Sequence, residues 1–268
     1  MAAVTLLAEP TGLAALTRTS PSARARQRFL DREGAPSLGS DWLRAVFLHY
    51  RVDPDALQPL VPFPLDLRRG EAYVSLVAFT MQDLHLRFGG AWGRRVMAPL
   101  ASHPLLNVRT YVRVEDEPGI YFLAEWIPNA LAARLGPPLF GLPYRLGNLD
   151  YRHLHETGTL EGYVAAADAP GPLIYEGALP YDAELGPAER GSLTEFLLER
   201  YTAYTAWHGL RRCFRIWHPP WPQTAFDGEV LDDALLDATG GWMQKADFIG
   251  ATYSPGVRDV WMGRPRLG

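Results

Sequence analysis

Arg109 and Tyr111 lie two positions apart in the stretch LLNVRTYVRV, and after a turn the segment GIYFLAEW brings Tyr121 and Glu125 alongside. An arginine can grip a carboxylate through two parallel hydrogen bonds, and a tyrosine hydroxyl can orient or protonate a substrate oxygen. By alternation, Leu105, Asn107, Arg109, Tyr111 and Arg113 share one strand face, and Tyr121, Leu123 and Glu125 share one on the partner. The same spacing suits a solvent-facing cross-strand pair of Arg109 with Glu125, which would contribute little to stability.

Other residue types offer chemistry with less support. His153 and His155 put two imidazoles on one strand face, a geometry found in metal sites, and His49, His103 or Glu125 could add a third ligand. Nothing in their spacing requires it, and histidines beside a hairpin turn are commonly exposed, so no metal is expected. Cys213 shares a face with Arg211 and Arg215, whose charge would favour a thiolate, but His208 and His218 are not placed on it by sequence. A buried, inert thiol fits better. Of 26 Lys plus Arg, a single residue is lysine, Lys245, and its setting after Gly240-Gly241 reads as a surface loop. Neither glycine-rich phosphate-loop pattern occurs, nor does G-x-S-x-G, which removes the easily recognised nucleotide enzymes and serine hydrolases.

The elements that must position these residues are mostly strands. WLRAVFLHYR, EAYVSLVAFTM, LLNVRTYVRV and GIYFLAEW alternate or run apolar, and the turn EDEPG makes the last two a hairpin. Asp53 and Pro54 cap a short helical turn. Pro128 opens a helix, NALAARL, that Gly136 and Pro137-Pro138 are expected to stop. LDYRHLHE and LEGYVAAAD form a second hairpin, followed by a strand at PLIYEG. Ser192 and Glu195 make a capping box for a helix over SLTEFLLERYTAYTAW, with Leu193, Phe196, Leu197 and Tyr201 or Tyr204 on one face. LRRCFRIWH is a strand, Asp227 is expected to cap a short acidic helix, and TYSPGVRDVWM is the closing segment. Eight or more strands against two or three helices, without a βαβ rhythm, predict an α+β, mainly β fold: an antiparallel sheet or barrel with helices packed on it.

Composition agrees with a globular chain. Hydrophobic residues make up 47% and charged residues 21%, and the net charge of -4 gives no footprint for nucleic acid. Eight tryptophans fit a pleated surface or an aromatic-lined pocket. No apolar run approaches the roughly 18 residues that span a bilayer. The beginning, MAAVTLLAEPTGLAAL, lacks a basic n-region, so neither a signal peptide nor a membrane partner is expected. One cysteine excludes an internal disulfide framework, and the expected location is cytoplasmic. Residues 1–40, with Arg18, Arg24, Arg26, Arg28 and Arg32, read as an arm that is partly disordered or wraps the rest. Residues 41–268 read as a single domain.

The motifs FLHYRVDPDALQPLVPFPLDL, EAYVSLVAFTM, LNVRTYVR, GIYFLAEWIPNALAARLG, LPYR, GSLTEFLLERY and HPPW, in this order, resemble the YqjF-like family of uncharacterised conserved bacterial proteins. That family is grouped with the acetoacetate decarboxylase-like superfamily. The resemblance implies a β-barrel or cone-like antiparallel sheet enclosing a small-molecule cavity, with helices outside. It implies that Arg109 and Tyr111 project inward, leaving Val108, Thr110 and Val112 to pack beneath the outer helices, and that Tyr144, Tyr201, His218 and Trp221 lie near the cavity. Acetoacetate decarboxylase forms a Schiff base on a mid-chain lysine beside another lysine. This chain has no lysine there, so the fold carries over and that chemistry does not.

The resulting expectation is an enzyme of unassigned reaction, without a cofactor, that acts on a small anionic, carboxylate or keto-acid-like molecule by decarboxylation, dehydration or enolisation without a covalent amine. Arg109 would anchor the anion, Tyr111 and Tyr121 would position it, and Glu125 or His218 would move protons. Tyr144, Tyr201 and Trp221 would line the site. The alternative is a non-catalytic binder or sensor of a small molecule. A scaffold docking a partner on the basic arm is a third reading, and a homo-oligomer is left open.

Overall fold

The long apolar and alternating runs become four successive strands, β1 (Leu38–Val52), β2 (Ala72–Leu86), β3 (His103–Val114) and β4 (Glu117–Ile127), paired antiparallel in sequence order. The computed structural model describes residues 20–267. The middle of β1, β2 and β3 is buried on both faces, because the sheet is covered on both sides. Leu106, Val108 and Val112 join one apolar cluster, while Leu105 and Tyr111 join another.

The second cluster fills the inside of a ring. β9 (Thr202–Trp207) runs parallel to β4, β10 (Leu210–Trp217) pairs with β9, and β12 (Ala246–Met262) pairs with both β10 and β1. These contacts close a circuit β1-β2-β3-β4-β9-β10-β12. The pairings are antiparallel apart from those of β4 with β9 and with β5 (Tyr144–Leu146). Outside the ring lies a second layer, β6 (Asn148–Leu154), β7 (Thr159–Ala165) and β8 (Leu173–Ala178), joined through β11 (Thr224–Asp232) to β12. Leu160, Val164, Leu173 and Tyr175 from this layer pack with Val108 and Val112, so the outer face of β3 is covered by a sheet where helices were expected.

Helices are few, and several depart from expectation for local reasons. Of the supposed arm, Pro21–Glu33 is helix α1, capped by Ser20 and docked on the ring. Ser22 Oγ donates to the His218 carbonyl at 2.6 Å, and Phe29 meets Trp261 edge-on. Arg28 pairs with Glu117, and Arg26 lies over Trp217 and Trp261; Arg18 falls outside the described residues. After the short turn α2 (Pro54–Leu57) and helix α3 (Gly90–Met97), helix α4 (Ala130–Phe140) runs through Pro137 and Pro138. Those prolines fall in its last turns, and Gly141, at φ 74°, closes it. Helix α5 keeps its Ser192 cap but spans only Leu193–Leu198, because the alternation of TAYTAW is claimed by pairing with β4 and β10. Asp227 starts no helix: it lies in β11, pairing with Ala178, and the 3-10 turn comes later, at Ala234–Thr239.

Candidate functional site

Two rows of inward side chains, one pleat apart, run across neighbouring strands. His49 on β1 is level with Ser75 on β2, Arg109 on β3 and Phe122 on β4. The next row is Phe47, Val77, Asn107, Glu125 and Tyr144, ending on β5. Across the ring, β10 and β12 supply Phe214, Ile216 and Met262. From the two rows Val77, Asn107, Arg109, Phe122, Glu125 and Tyr144 join these three and Trp42, Phe79 and Trp221 to line a pocket of about 700 Å³, counting the part open to solvent.

Arg109 is the charged group at its centre. It is 6% exposed, and Nη2 donates to the Leu197 carbonyl at 3.0 Å. That carbonyl belongs to the last turn of α5, where main-chain oxygens lack helical partners and favour a cation. Among the described residues no carboxylate lies within ion-pair distance of Arg109, and its Nε has no protein partner. Arg200 behaves differently. It also borders the pocket, but Asp66 holds its Nη1 at 2.7 Å and the guanidinium lies over Phe196.

A hydrogen-bonded chain supports Arg109 from below. The Tyr111 hydroxyl donates to Leu197 O at 3.0 Å, so it must accept from Ser75 Oγ, 2.5 Å away. Ser75 in turn accepts from His49 Nδ1 at 2.7 Å. His49 is thereby fixed as the Nδ1–H tautomer. Its pKa is pushed down to about 3, first by burial and then by Arg109. Tyr111 therefore braces the arginine, its single proton already committed.

Around this centre burial sets the protonation states. Glu125 is held well above the usual carboxylate range by burial, and its Oε2 has no protein partner; nor does Asn107 Oδ1, on the residue opposite. Burial also raises the Tyr144 phenol, with the Glu125 carboxyl adding to the effect. His218 donates from Nδ1 to the Pro219 carbonyl at 2.8 Å. Burial brings it down to about 4 against that hydrogen bond, Arg109 adds a smaller push in the same direction, and the Arg200 carbonyl, a second hydrogen-bond partner, opposes it. Its ring stacks on Tyr201 at 4.7 Å and lies 5.3 Å from Trp221.

The structure thus brings Arg109, Glu125, Tyr144, His218 and Trp221 to one pocket, with Tyr111 beneath it and Tyr201 behind His218. Tyr121 is elsewhere. A β-bulge gives β4 one extra residue opposite the Val108/Arg109 step, which flips the alternation, so Tyr121 faces outward against Phe63 while Glu125 faces inward. The bulge also breaks the simple Arg109–Glu125 pairing: Arg109 is level with Phe122.

The other candidates are accounted for. His153 uses both ring nitrogens, on the Arg44 carbonyl and the Tyr175 hydroxyl, and His155 stacks on Tyr253. No group of three metal-ligating side chains occurs among the described residues. Burial pushes the Cys213 thiol up. Lys245 is exposed and paired with Asp53 at 2.9 Å.

One group escaped the sequence reading. Glu199, in the quoted motif LLERY, accepts from the Tyr201 hydroxyl and, at 3.1 Å, from the Trp221 amide. Burial nevertheless raises its pKa to about 7, those hydrogen bonds opposing the rise. Arg109 acts on it in the same opposing direction, so the two are electrostatic neighbours. An acidic residue just past a capped helix and next to Tyr201 was the only signal available.

Comparison with known proteins agrees with this arrangement. The family DUF2071, described as an uncharacterized conserved protein, matches residues 40–258. The uncharacterized protein YqjF of Bacillus subtilis is 28% identical over 208 residues, covering 77% of this chain and 83% of its own. An acetoacetate decarboxylase-like enzyme from Sphingomonas wittichii superposes with a TM-score of 0.58 at 16% identity, over 87% of this chain and 95% of that one. Acetoacetate decarboxylase from Legionella pneumophila gives 0.57 at 14%, over 87% of each. The enduracididine biosynthesis enzyme MppR complexed with pyruvate gives 0.57 at 14%, over 87% and 91%. The fold is therefore a mainly-β α+β arrangement of the acetoacetate decarboxylase-like kind. No helix among the described residues is long and apolar enough to cross a membrane.

Proposed function

We propose that this chain, which belongs to the DUF2071 family of uncharacterized conserved proteins, is an enzyme that binds a small carboxylate, keto-acid-like in its chemistry, in a barrel-like cavity. The observation that carries this reading is Arg109, a buried cation with no carboxylate in contact, braced by Tyr111 and Leu197 and set near a carboxyl group kept neutral. A buried charge without a partner is costly, and an anionic ligand would relieve that cost.

In this reading Arg109 holds the carboxylate and Glu125, protonated at neutral pH, donates a hydrogen bond to a substrate oxygen. When a proton or carbon dioxide leaves the neighbouring carbon, the bonding electrons pass to that oxygen and Glu125 stabilises the charge; in a dehydration the same electrons then return to expel a hydroxyl from the next carbon. His218, held neutral by burial, serves as the proton acceptor. The chemistry is decarboxylation, dehydration or enolisation without a covalent amine, because the sole lysine is exposed and paired with Asp53. Superposition on acetoacetate decarboxylase-like enzymes supports the fold and the interior site; it does not name the reaction.

Arg109→Gln, assayed against a panel of 2-oxo and 3-oxo carboxylates by mass spectrometry, should abolish turnover with only a small change in Tm. A comparable loss of folding would make Arg109 a structural tie to α5. If carboxylates bind the unaltered protein and emerge unchanged, the non-catalytic binder is the correct reading, one that the aromatic walls Trp42, Phe79 and Trp221 favour.

A further inference from the structure

We infer that the pocket selects a monocarboxylate bearing a bulky apolar body, such as an aryl ring, over dicarboxylates and over short-chain acids; this rests on the anion-binding reading of Arg109.

The charge count fixes one anionic group. Seven titratable or charged side chains bear on the polar end of the pocket: Arg109, Arg200, Glu125, Glu199, His49, His218 and Tyr144, the last a phenol that burial keeps protonated. Arg200 is neutralised by Asp66 at 2.7 Å. Both histidines are neutral, one committed to Ser75 and the other to Pro219. Glu125 and Glu199 can add only negative charge. Arg109 alone is left to meet a carboxylate. A second carboxylate on the ligand would be desolvated against Glu125 and the aromatic walls without a cation of its own.

The walls fix the body. Away from Arg109 the lining includes Trp42, Phe79, Phe214, Ile216 and Met262, drawn from four strands. Trp42 stacks near Trp221 at 6.2 Å and tilts against Phe79 at 5.6 Å, which forms a flat apolar surface. An acid of two or three carbons held on Arg109 would leave this surface in water. A ring would cover it, and burying a group of that size is worth about tenfold or more in affinity.

Polar atoms add one further feature. Asn107 Oδ1 and Glu125 Oε2, on residues paired across the β3–β4 register, lack protein partners. They offer a place for a single uncharged oxygen function beside the carboxylate, which suits an aryl-substituted oxo or hydroxy acid.

The test is isothermal titration of the full chain with acetate, phenylacetate, phenylsuccinate and the neutral phenylacetamide. Phenylacetate should bind at least tenfold more tightly than acetate, phenylsuccinate and phenylacetamide, and Arg109→Gln should lose that preference over the amide. Equal or tighter binding of acetate or phenylsuccinate would overturn the inference while leaving the anion site standing. Equal binding of phenylacetamide to the unaltered protein would overturn the anion-binding reading itself, whether or not the variant folds. Absence of binding by all four at millimolar concentration would overturn both.

Discussion

Replacing Glu199 with Gln should flatten a fall in stability that the unaltered protein shows between mildly acidic and mildly alkaline pH. Glu199 is half-buried behind Tyr201 and the Trp221 amide, and its pKa is raised from 4.5 to about 7. Between those values the folded chain keeps a proton that the unfolded chain has released. Stability from this group is therefore present in full below about 4.5 and is lost as pH rises through about 7. That gap, at about 1.4 kcal/mol per pH unit, comes to ~3 kcal/mol. Glutamine mimics the protonated acid: its oxygen accepts from the Trp221 amide, and its NH2, like the acid proton, donates to the Tyr201 hydroxyl oxygen once that hydroxyl turns. Urea unfolding of both proteins at pH 5 and pH 8, with m-values compared, measures the difference, and the other titrating groups cancel between them. A pH 5 to pH 8 change in unfolding free energy that is the same in both, within about 0.5 kcal/mol, would refute the reasoning.

The other predictions concern the supports of the pocket. Asp66→Asn removes the carboxylate from Arg200, whose side chain is only 4% exposed, and should cost about 3–5 kcal/mol in urea unfolding; Arg113, half-exposed on the same carboxylate, adds little. Gly136→Ala puts a Cβ into the Tyr144 ring, which cannot yield without leaving the pocket, so a loss of about 1–3 kcal/mol should accompany weakened phenylacetate binding. Phenylacetate should bind more tightly at pH 6 than at pH 8, because ionised Glu199 competes for Arg109 above about 7, and Glu199→Gln should remove that dependence. A pH dependence unchanged by the substitution would place the competing group elsewhere.

Much of the ring was legible because its strands carry their own pattern. β1 to β4 follow the apolar and alternating runs closely, and the hairpin turn at EDEPG places Glu115 at φ 54° as such a turn requires. What local pattern could not supply was tertiary. The segment TAYTAW fits a helical face as well as a strand, and only pairing with β4 and β10 decides it. The direction of Arg109 came from family resemblance, since an alternating strand with one polar face ordinarily turns that face to water. The bulge in β4 has no marker in GIYFLAEW, yet it determines that Tyr121 leaves the site while Glu125 enters it. Glu199 was hidden for a related reason: in a helix continued past Leu198 it reads as a solvated position.

The interior of the ring is divided, and the division argues for an oriented ligand. Its two polar rows lie on one arc, from His49 and Ser75 through Arg109 and Asn107 to Glu125 and Tyr144, on strands β1 to β5. The opposite arc, from β9, β10 and β12, contributes Ala203, Phe214, Ile216, Val257 and Val260 to the inner core. An interior filled for stability alone would be apolar throughout, since each unpartnered buried group such as Asn107 Oδ1, Arg109 Nε and Glu125 Oε2 costs about 1–3 kcal/mol or more. Those three orphans sit on adjacent strands within one pleat of each other, about 7 Å along β3. A contiguous polar arc facing an apolar one calls for a molecule with a charged end and an oily side, so the cost in the empty protein becomes selectivity when such a molecule binds.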